Sequence, residues 1–279
     1  MLTLAGPGLA LLSALLWGGA DFGGGLLSRR LRAAAVVGAS QAFALVAVLA
    51  VVLVTGAHAG PWDWLWWSVA AGVAGTIGLV AFYAALAAGT MGVVSPIAAL
   101  GAVVPVLVGV AAGERPTSVQ VAGIALALAG AVAASGPELR GAAGARPVVL
   151  AALAGVAFGL ALVFVGRGAE TSALMTLAGM RTVSVVAFAL AALALRTSGG
   201  VRGRDVVPLA LVGLADAGAN LAFGVATTFG LLSVTAVLGS LYPVVTVLLA
   251  RGVLGERLRV VQQVGVGAAL AGVVLVSAG

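Results

Sequence analysis

Long apolar runs separated by short polar breaks dominate the sequence. Between Trp64 and Gly113 there is no Asp, Glu, Lys or Arg. A spanning helix needs about 20 apolar residues, so this stretch crosses a membrane twice, with a turn at 89–92. The same treatment of every run predicts ten helices, near 5–27, 33–55, 63–88, 92–112, 117–136, 147–166, 172–195, 205–228, 233–253 and 258–278. We therefore expect an all-α, polytopic membrane protein of ten transmembrane helices.

The amino-acid composition indicates that the surface of this protein is in contact with lipid. Of the 279 residues, 62% are hydrophobic and 8% are charged, against about 25% charged in soluble domains. The 14 basic residues are all arginines in short clusters between apolar runs, a pattern that sets membrane orientation and does not indicate nucleic acid. With no Lys and no Cys, a Schiff-base lysine, a P-loop lysine and a thiolate metal site are excluded, and we expect no cofactor and no metal.

Internal repetition divides the chain into two units of five helices. The repeated pairs are offset by about 141 residues and share residue type and order. Since five crossings are an odd number, the second unit must enter from the opposite face, which predicts inverted repeats of the kind that alternate access to a central site. We expect the first unit at 1–137, a linker at 138–146 and the second unit at 147–279. The repeated pairs are Trp17-Gly18 with Phe158-Gly159, Ala81-Phe82 with Ala222-Phe223, and Glu114-Arg115 with Glu256-Arg257.

The end of each unit carries a recognisable motif. The second unit has Tyr242-Pro243, then Gly255-Glu256-Arg257, then Gln262, Gly265 and Gly272; the first has Gly113-Glu114-Arg115, then Gln120, Gly123 and Gly130. Together with Trp17-Gly18 and Arg181, these residues resemble the EamA domain of the drug/metabolite transporter superfamily. The resemblance implies secondary active transport of small metabolites by alternating access, and export of amino acids or related compounds is the expected activity. Uptake or exchange of a sugar or nucleotide sugar in the same fold stays open.

The resemblance also implies a location and a set of partners. We expect a multi-pass protein of the plasma (inner) membrane, with the lipid bilayer and a small-molecule substrate as partners and no nucleic acid. The expected oligomeric state is a monomer or a homodimer. Energy coupling is expected from an ion gradient, with the proton as the simplest ion, or from exchange.

Charges inside the hydrocarbon mark the candidate site, because each costs about 2.5–3.5 kcal/mol on insertion scales. Arg181 and Asp216 lie at similar depth on neighbouring predicted helices, which favours an ion pair. Asp216, Asn220 and Thr227 share one helix face, and Trp17 shares a face with Asp21. Each stripe has two interpretations, a cavity wall or a structural pair, with Arg29 or Arg30 as the partner of Asp21. The candidates for the substrate cavity are Trp17, Asp21, Arg181, Asp216, Asn220, Thr227 and Tyr242, and weaker ones are Gln41, Tyr83 and Ser95.

Asp21 is the residue that we expect to carry a coupling proton. A proton needs only one titratable carboxylate, whereas a sodium ion needs several converging oxygens. Asp216 is expected to be held by Arg181, while Asp21 has no charged partner on its own helix.

Three local patterns carry structural expectations. Pro96 and Pro105 each remove a backbone hydrogen bond, so helix four should be bent or broken. Glu114 and Glu256 should cap the N-terminus of the next helix. Four tryptophans between 62 and 67 are typical of an interfacial belt.

Other classes of protein fit the sequence less well. A serine intramembrane protease needs a buried His, whereas the single His58 lies in a predicted loop. An aspartyl type needs two carboxylates that share a proton, for which Asp21 and Asp216 are the available pair. A channel or a membrane scaffold stays open as the alternative outside transport. We expect no enzymatic activity.

The arginines also predict orientation. Loops one, five, seven and nine, numbered by the helix they follow, hold 11 of the 14 arginines. The positive-inside rule places these odd loops in the cytoplasm and both termini outside.

Overall fold

The computed structural model describes residues 5–28, 30–88, 97–98, 100–134, 145–194, 196, 200–254 and 259–278. Helices fill almost all of this part of the chain, and it contains no strand. Short 3₁₀ turns lie at Ala57–Ala59, Leu100–Ala102 and Gly203–Asp205. The α-helices are α1 Ala5–Ser28, α2 Ala33–Thr55, α3 Trp64–Ala88, α4 Val103–Ala111, α5 Ser118–Ala134, α6 Ala145–Ala194, α7 Val206–Thr227, α8 Leu232–Gly239, α9 Tyr242–Leu254 and α10 Val260–Ala278.

Five of the described helices are long and apolar enough to cross a membrane by length and composition. Most of their surface is made of apolar side chains, including Leu53, Val54 and Leu193, which are more than two-thirds exposed. In water such a surface would be unstable, but lipid tails solvate it. The predicted all-α, multi-pass membrane protein is therefore confirmed, while the count of ten spans stays a prediction.

Helix α6 has 50 residues and contains one break. A straight helix of this length would measure about 75 Å, more than twice the hydrocarbon thickness of a bilayer. The break is at Ser172, whose backbone has φ −161° and ψ 106°. The break lies where helix seven is predicted to begin, so two helices meet here as expected, whereas residues 167–171, predicted as a loop, continue the first helix. Ser172 Oγ accepts a hydrogen bond from Met175 N at 3.2 Å and so caps the second half of α6.

Predicted helices four and nine are both interrupted. In the described part of helix four, a 3₁₀ turn at Leu100–Ala102 leads into α4, which contains the buried Pro105. The predicted helix 233–253 is divided into α8 and α9 at Ser240, just before Pro243. Pro243 has no N–H to donate, which explains a break one turn earlier. The expected break of helix four is confirmed, and a matching break in the second repeat was not expected.

Contacts between helices follow the two-repeat pattern. Helix α1 packs on α7, and α3 packs on α6. Phe82 of α3 meets Phe158 of α6 with ring centroids 6.0 Å apart. Helix α5 packs on α10, and α4 on α8. Exchange of the two repeats interchanges the α1–α7 and α3–α6 pairs and leaves the α5–α10 and α4–α8 pairs unchanged. A pseudo-two-fold arrangement of the repeats requires this pattern.

Glycines allow the closest of these approaches. A Cβ built on Gly123 of α5 would lie 2.7 Å from Val276 N, and one built on Gly272 of α10 would lie 2.5 Å from Ala127 N. Contacts this short do not occur between a real Cβ and a backbone nitrogen. The glycines near the end of each repeat therefore bring α5 and α10 into backbone contact.

The tryptophan segment is only partly an outward belt. Trp62 and Trp66 are exposed, whereas Trp64 is buried against the core. His58 lies in an exposed turn, as predicted. The turn predicted at 89–92, Ser95, Glu256 and most of the predicted linker lie outside the described residues, as does the side chain of Tyr83.

Candidate functional site

Arg181 and Asp216 form a buried ion pair between α6 and α7. Arg181 Nη1 lies 2.8 Å from Asp216 Oδ2, and the two side chains are 5% and 23% exposed. Asp216 lies ten residues into α7, at a depth of about 15 Å along the helix axis and near the middle of a bilayer. The pair that we expected from their similar depth is confirmed.

Gln41 of α2 bridges the two charges. Its Nε2 donates to Asp216 Oδ2 at 3.0 Å, and its Oε1 accepts a hydrogen bond from Arg181 Nη1. Gln41 is only a weaker candidate from the sequence, because a glutamine in the middle of a helix often bonds only to backbone. Its position near the middle of α2, at the depth of the two charges, is the signal that could have raised it.

The other carboxylate oxygen of Asp216 is also occupied. Trp17 Nε1 donates to Oδ1 at 3.2 Å, and Asn220 Nδ2 donates to the same oxygen at 3.2 Å. Each carboxylate oxygen of Asp216 thus accepts hydrogen bonds from two donors, which is close to the number that a carboxylate can accept. We call Trp17, Gln41, Arg181, Asp216 and Asn220 the central cluster.

Both repeats build the central cluster. Trp17 and Gln41 come from α1 and α2, whereas the other three residues come from α6 and α7. Leaving either charge without its partner inside lipid would cost several kcal/mol, so the cluster ties the two repeats together at this depth. Because donors and not Asp21 surround the Asp216 oxygens, the carboxylate pair of an aspartyl protease is not formed among the described residues.

Asp21 lies beside the central cluster without joining it. Its side chain is exposed, and it makes no hydrogen bond or ion pair with the described residues. It is near enough to Asp216 and to the Tyr242 hydroxyl to interact with both electrostatically.

The expected alternative partner of Asp21 is engaged elsewhere. Arg30 Nη1 lies 2.7 Å from Asp205 Oδ1, and Asp205 is 1% exposed. The other oxygen of Asp205 accepts a hydrogen bond from Arg202 N at 2.9 Å. Pairing of Asp21 with Arg30 is therefore wrong, and Arg29 lies outside the described residues. Asp205 is a buried charge that sequence reasoning missed, because it sits at the edge of an arginine-rich loop.

Trp17 is held by aromatic and glycine neighbours. Its ring centroid is 5.8 Å from that of Phe223, with the planes tilted by 42°. A Cβ on Gly239, at the end of α8, would be 3.4 Å from Trp17 and 3.3 Å from Phe223. Phe223 is completely buried. This packing fixes the Trp17 indole in the orientation that donates to Asp216.

Thr227 lies apart from the central cluster. Its hydroxyl donates to Gly224 O of its own helix at 2.7 Å. Thr227 lines a cavity of about 240 Å³ together with Glu114, Arg167, Glu170 and Leu232. Asp216 and Thr227 are 11 residues apart, about 16 Å along the axis, so they lie at different levels of α7. A second cavity, of about 480 Å³, is lined by apolar residues of α1 and α7 and also excludes the central cluster.

Glu114 caps a helix of the other repeat. Its Oε1 and Oε2 accept hydrogen bonds from Leu232 N at 2.6 Å and Ser233 N at 3.1 Å, at the start of α8. Its carboxylate also packs against Gly109, where a Cβ would overlap it. The predicted capping role is confirmed, but its target is α8 and not the next helix, α5. A local motif shows that a carboxylate is available for capping, but not which helix it reaches.

Comparisons with known proteins agree with this architecture. An all-helical chain with apolar spans and two repeats around a buried polar cluster defines a multi-pass membrane protein. The model of the EamA-like transporter family matches residues 4–136 and 145–278, so the chain belongs to that family and carries its domain twice. No curated protein matches the chain significantly.

Among solved structures, the chain matches a crystal structure described only as "Crystal structure of protein". The TM-score is 0.81 at 18% sequence identity, over 97% of this chain and 95% of the other. At this identity the match establishes the fold.

Proposed function

We propose that this protein is a secondary active transporter that exports amino acids or related small metabolites across the plasma membrane by alternating access. The observation that carries the proposal is the central cluster, in which residues of both repeats meet around one buried ion pair. A family of membrane transporters supplies the class, and the cluster marks the level at which polar residues of both repeats meet.

The free-energy cost of burying the two charges of the central cluster supports a functional role for them. A buried ion pair contributes little to stability compared with apolar residues of the same volume, because both charges lose their hydration. In a membrane interior, ionisable residues are therefore retained mainly where they bind a substrate or an ion. Donors from α1 and α2 and charges from α6 and α7 share the pair, so movement of one repeat against the other would alter its contacts.

Asp21 is the proposed coupling residue. Asp216 is neutralised by Arg181, whereas Asp21 has no ion-pair partner among the described residues. A carboxylate that is exposed, close to the cluster and without a fixed counter-ion is suited to take up and release a proton as the repeats move. Broken helices beside it, at α8 and α9, are typical of transporter sites.

Saturable flux separates this proposal from its alternatives. Purified protein in liposomes would be tested with labelled amino acids, a labelled sugar and a labelled nucleotide sugar, against protein-free liposomes. We expect saturable uptake of amino acids that Arg181→Met lowers at least ten-fold and Asp63→Asn leaves unchanged, since Asp63 lies in an exposed turn outside the cluster. Linear flux would indicate a channel, absence of flux a scaffold, and uptake of the sugars alone the other transporter activity.

A further inference from the structure

We propose that the protein binds one anionic phospholipid in a groove between α1 and α7. The lipid phosphate lies against arginines at the ends of these two helices, and one acyl chain occupies the groove. This site is separate from the central cluster, so the proposal goes beyond the proposed function and does not depend on it.

The groove between α1 and α7 is apolar and has a volume of about 480 Å³. Glycines create part of this space, since nothing lies within 4 Å of a Cβ built on Gly19. Leu211, on the α7 side, is 62% exposed, so the groove opens onto the surface that contacts lipid. Its walls include Gly19, Gly23 and Leu26 of α1 and Pro208, Leu211 and Ala215 of α7.

On α1, the wall of the groove continues into an arginine. Gly19, Gly23, Leu26 and Arg30 follow the i, i+4, i+7, i+11 spacing of one helix face. Arg30 N donates to Leu27 O at 3.1 Å, so a helical turn extends to Arg30. From Gly19 to Arg30 the stripe measures about 16 Å along the axis, roughly half of the hydrocarbon thickness. The groove therefore spans the depth of one lipid leaflet and ends at an arginine.

On α7, the opposite wall ends in the same way. Arg204, Pro208, Leu211 and Ala215 have the same spacing as the four residues of α1. Arg204 lies in the 3₁₀ turn Gly203–Asp205, directly before α7 begins. Both walls therefore carry an arginine at the end of the groove nearest loops one and seven.

The guanidinium groups of Arg30 and Arg204 converge at this end. Arg30 Nη1 lies 2.7 Å and Arg204 Nε lies 4.0 Å from the same oxygen, Asp205 Oδ1. Asp205 is 1% exposed, whereas the two arginine side chains are 43% and 68% exposed, so the positive groups are the accessible ones. Arg202, at the start of the same turn, is also exposed. Three arginines thus accompany one carboxylate, and the surplus of positive charge favours an anionic ligand such as a phosphate.

A phospholipid occupies both halves of the site, which other ligands do not. A free anion would use only the arginines, and a lipid without net charge would leave their surplus charge unbalanced. A second copy of the chain, docked through the same face, would bring arginines against arginines. The positive-inside rule places these arginines in the cytoplasm, where the facing leaflet carries the anionic lipids.

A comparison of lipids tests the proposal directly. Protein in detergent would be titrated with phosphatidylglycerol, with phosphatidylcholine of the same acyl chains, and with glycerol 3-phosphate, and bound molecules would be counted by native mass spectrometry. We expect one phosphatidylglycerol to bind about ten-fold or more tightly than phosphatidylcholine. Equal affinity for the two lipids would overturn the proposal, as would displacement of phosphatidylglycerol by equimolar glycerol 3-phosphate.

Arginine variants locate the head group. Arg202→Gln combined with Arg204→Gln removes the surplus charge and keeps the ion pair of Arg30 with Asp205. We expect a loss of about ten-fold in affinity for phosphatidylglycerol and little change for phosphatidylcholine. The matched control, Arg115→Gln combined with Arg167→Gln, removes the same charge from the exposed side chains of even loops and should bind as the wild type does. Equal losses in the two double variants would show unspecific attraction and contradict the site.

Glycine variants locate the acyl chain. Gly19→Leu places a side chain in the groove and should weaken binding of phosphatidylglycerol about ten-fold, because the chain loses its apolar contacts. Gly8→Leu is the control on the same helix, since nothing lies within 4 Å of its added Cβ either and it is 11 residues from Gly19. Wild-type affinity in Gly19→Leu would contradict the proposal. A dimer in the same spectra that Gly19→Leu dissociates would show that a second copy, and not a lipid, occupies the groove.

Discussion

Asp216 illustrates how one residue depends on four helices. Its carboxylate collects donors from α1, α2, α6 and its own helix, and no single one of them would satisfy it. Removing the guanidinium would leave a buried carboxylate held only by neutral donors, while removing both charges would leave a neutral polar cluster.

We expect the two charges to be energetically coupled. Arg181→Met alone should lower stability by about 3–5 kcal/mol, because it leaves an uncompensated buried charge. The double variant with Asp216→Asn should be milder than Arg181→Met alone. Thermal melts of both single variants and the double variant would measure this coupling.

Arg167→Met is the matched control for this cycle. Its ion pair with Glu170, at 3.2 Å, is 40% and 63% exposed. We expect a loss within about 0.5 kcal/mol. Additive effects of the Arg181 and Asp216 substitutions would show that the two charges do not interact.

The partner of a residue could be predicted from the sequence where its depth in the membrane alone decides which residue it meets. Arg181 and Asp216 are charges at matching depth, so their pairing follows from the cost of burial. Gln41 could not be ranked, because an uncharged side chain mid-helix has many partners to choose from. Thr227 is predicted on the same helix face as Asp216, but a helical stripe does not say which neighbour lies at each level of the helix.

At the scale of elements, the distance between helices positions the cluster. Gly213 of α7 lies against the carbonyl oxygen of Ser40, and Ser40 precedes Gln41 on α2. A Cβ at Gly213 would overlap that oxygen and approach Ser40 Cα to 3.2 Å. The glycine thus allows α2 to come close enough for Gln41 to reach Asp216.

Gly213→Ala should therefore disturb the central cluster, although Gly213 is not one of its residues. We expect a loss of about 1–3 kcal/mol from overpacking, together with weaker transport as Gln41 moves away. Gly75→Ala on α3 is the control, since nothing lies within 4 Å of its added Cβ. Thermal melts and liposome uptake of both variants would check this, and equal behaviour of the two would contradict the role given to Gly213.

Helices as elements were more predictable than their ends and breaks. Apolar runs marked the helices because lipid requires them. The sequence predicts a loop at 167–171, although an Arg167–Glu170 pair and the Ser172 cap are equally compatible with a broken helix. The break before Pro243 had a sequence signal in the proline itself, which had been used only for helix four.

At the scale of the whole molecule, contacts between loops distinguish the two membrane faces of the protein. Arg30 of loop one pairs with Asp205 of loop seven, and Glu114 of loop four caps α8 after loop eight. Odd loops therefore meet odd loops, and even loops meet even loops, as the crossing pattern requires. The arginines are concentrated on the odd face.

The positive-inside rule then predicts that both termini lie outside. A C-terminal green fluorescent protein fusion should stay dark, and a C-terminal alkaline phosphatase fusion should be active. A fluorescent fusion with an inactive phosphatase would reverse the orientation.

Proton-driven accumulation tests the account most directly. Liposomes containing the wild type, Asp21→Asn or Asp63→Asn would be given an imposed pH gradient and labelled amino acid above the KM of each variant. We predict accumulation by the wild type and by Asp63→Asn. We predict no accumulation by Asp21→Asn, although its exchange of labelled for unlabelled amino acid should continue, because Asn can still accept a hydrogen bond from the substrate. Wild-type accumulation by Asp21→Asn would contradict the role of Asp21, and transport indifferent to the gradient in every variant would contradict proton coupling itself.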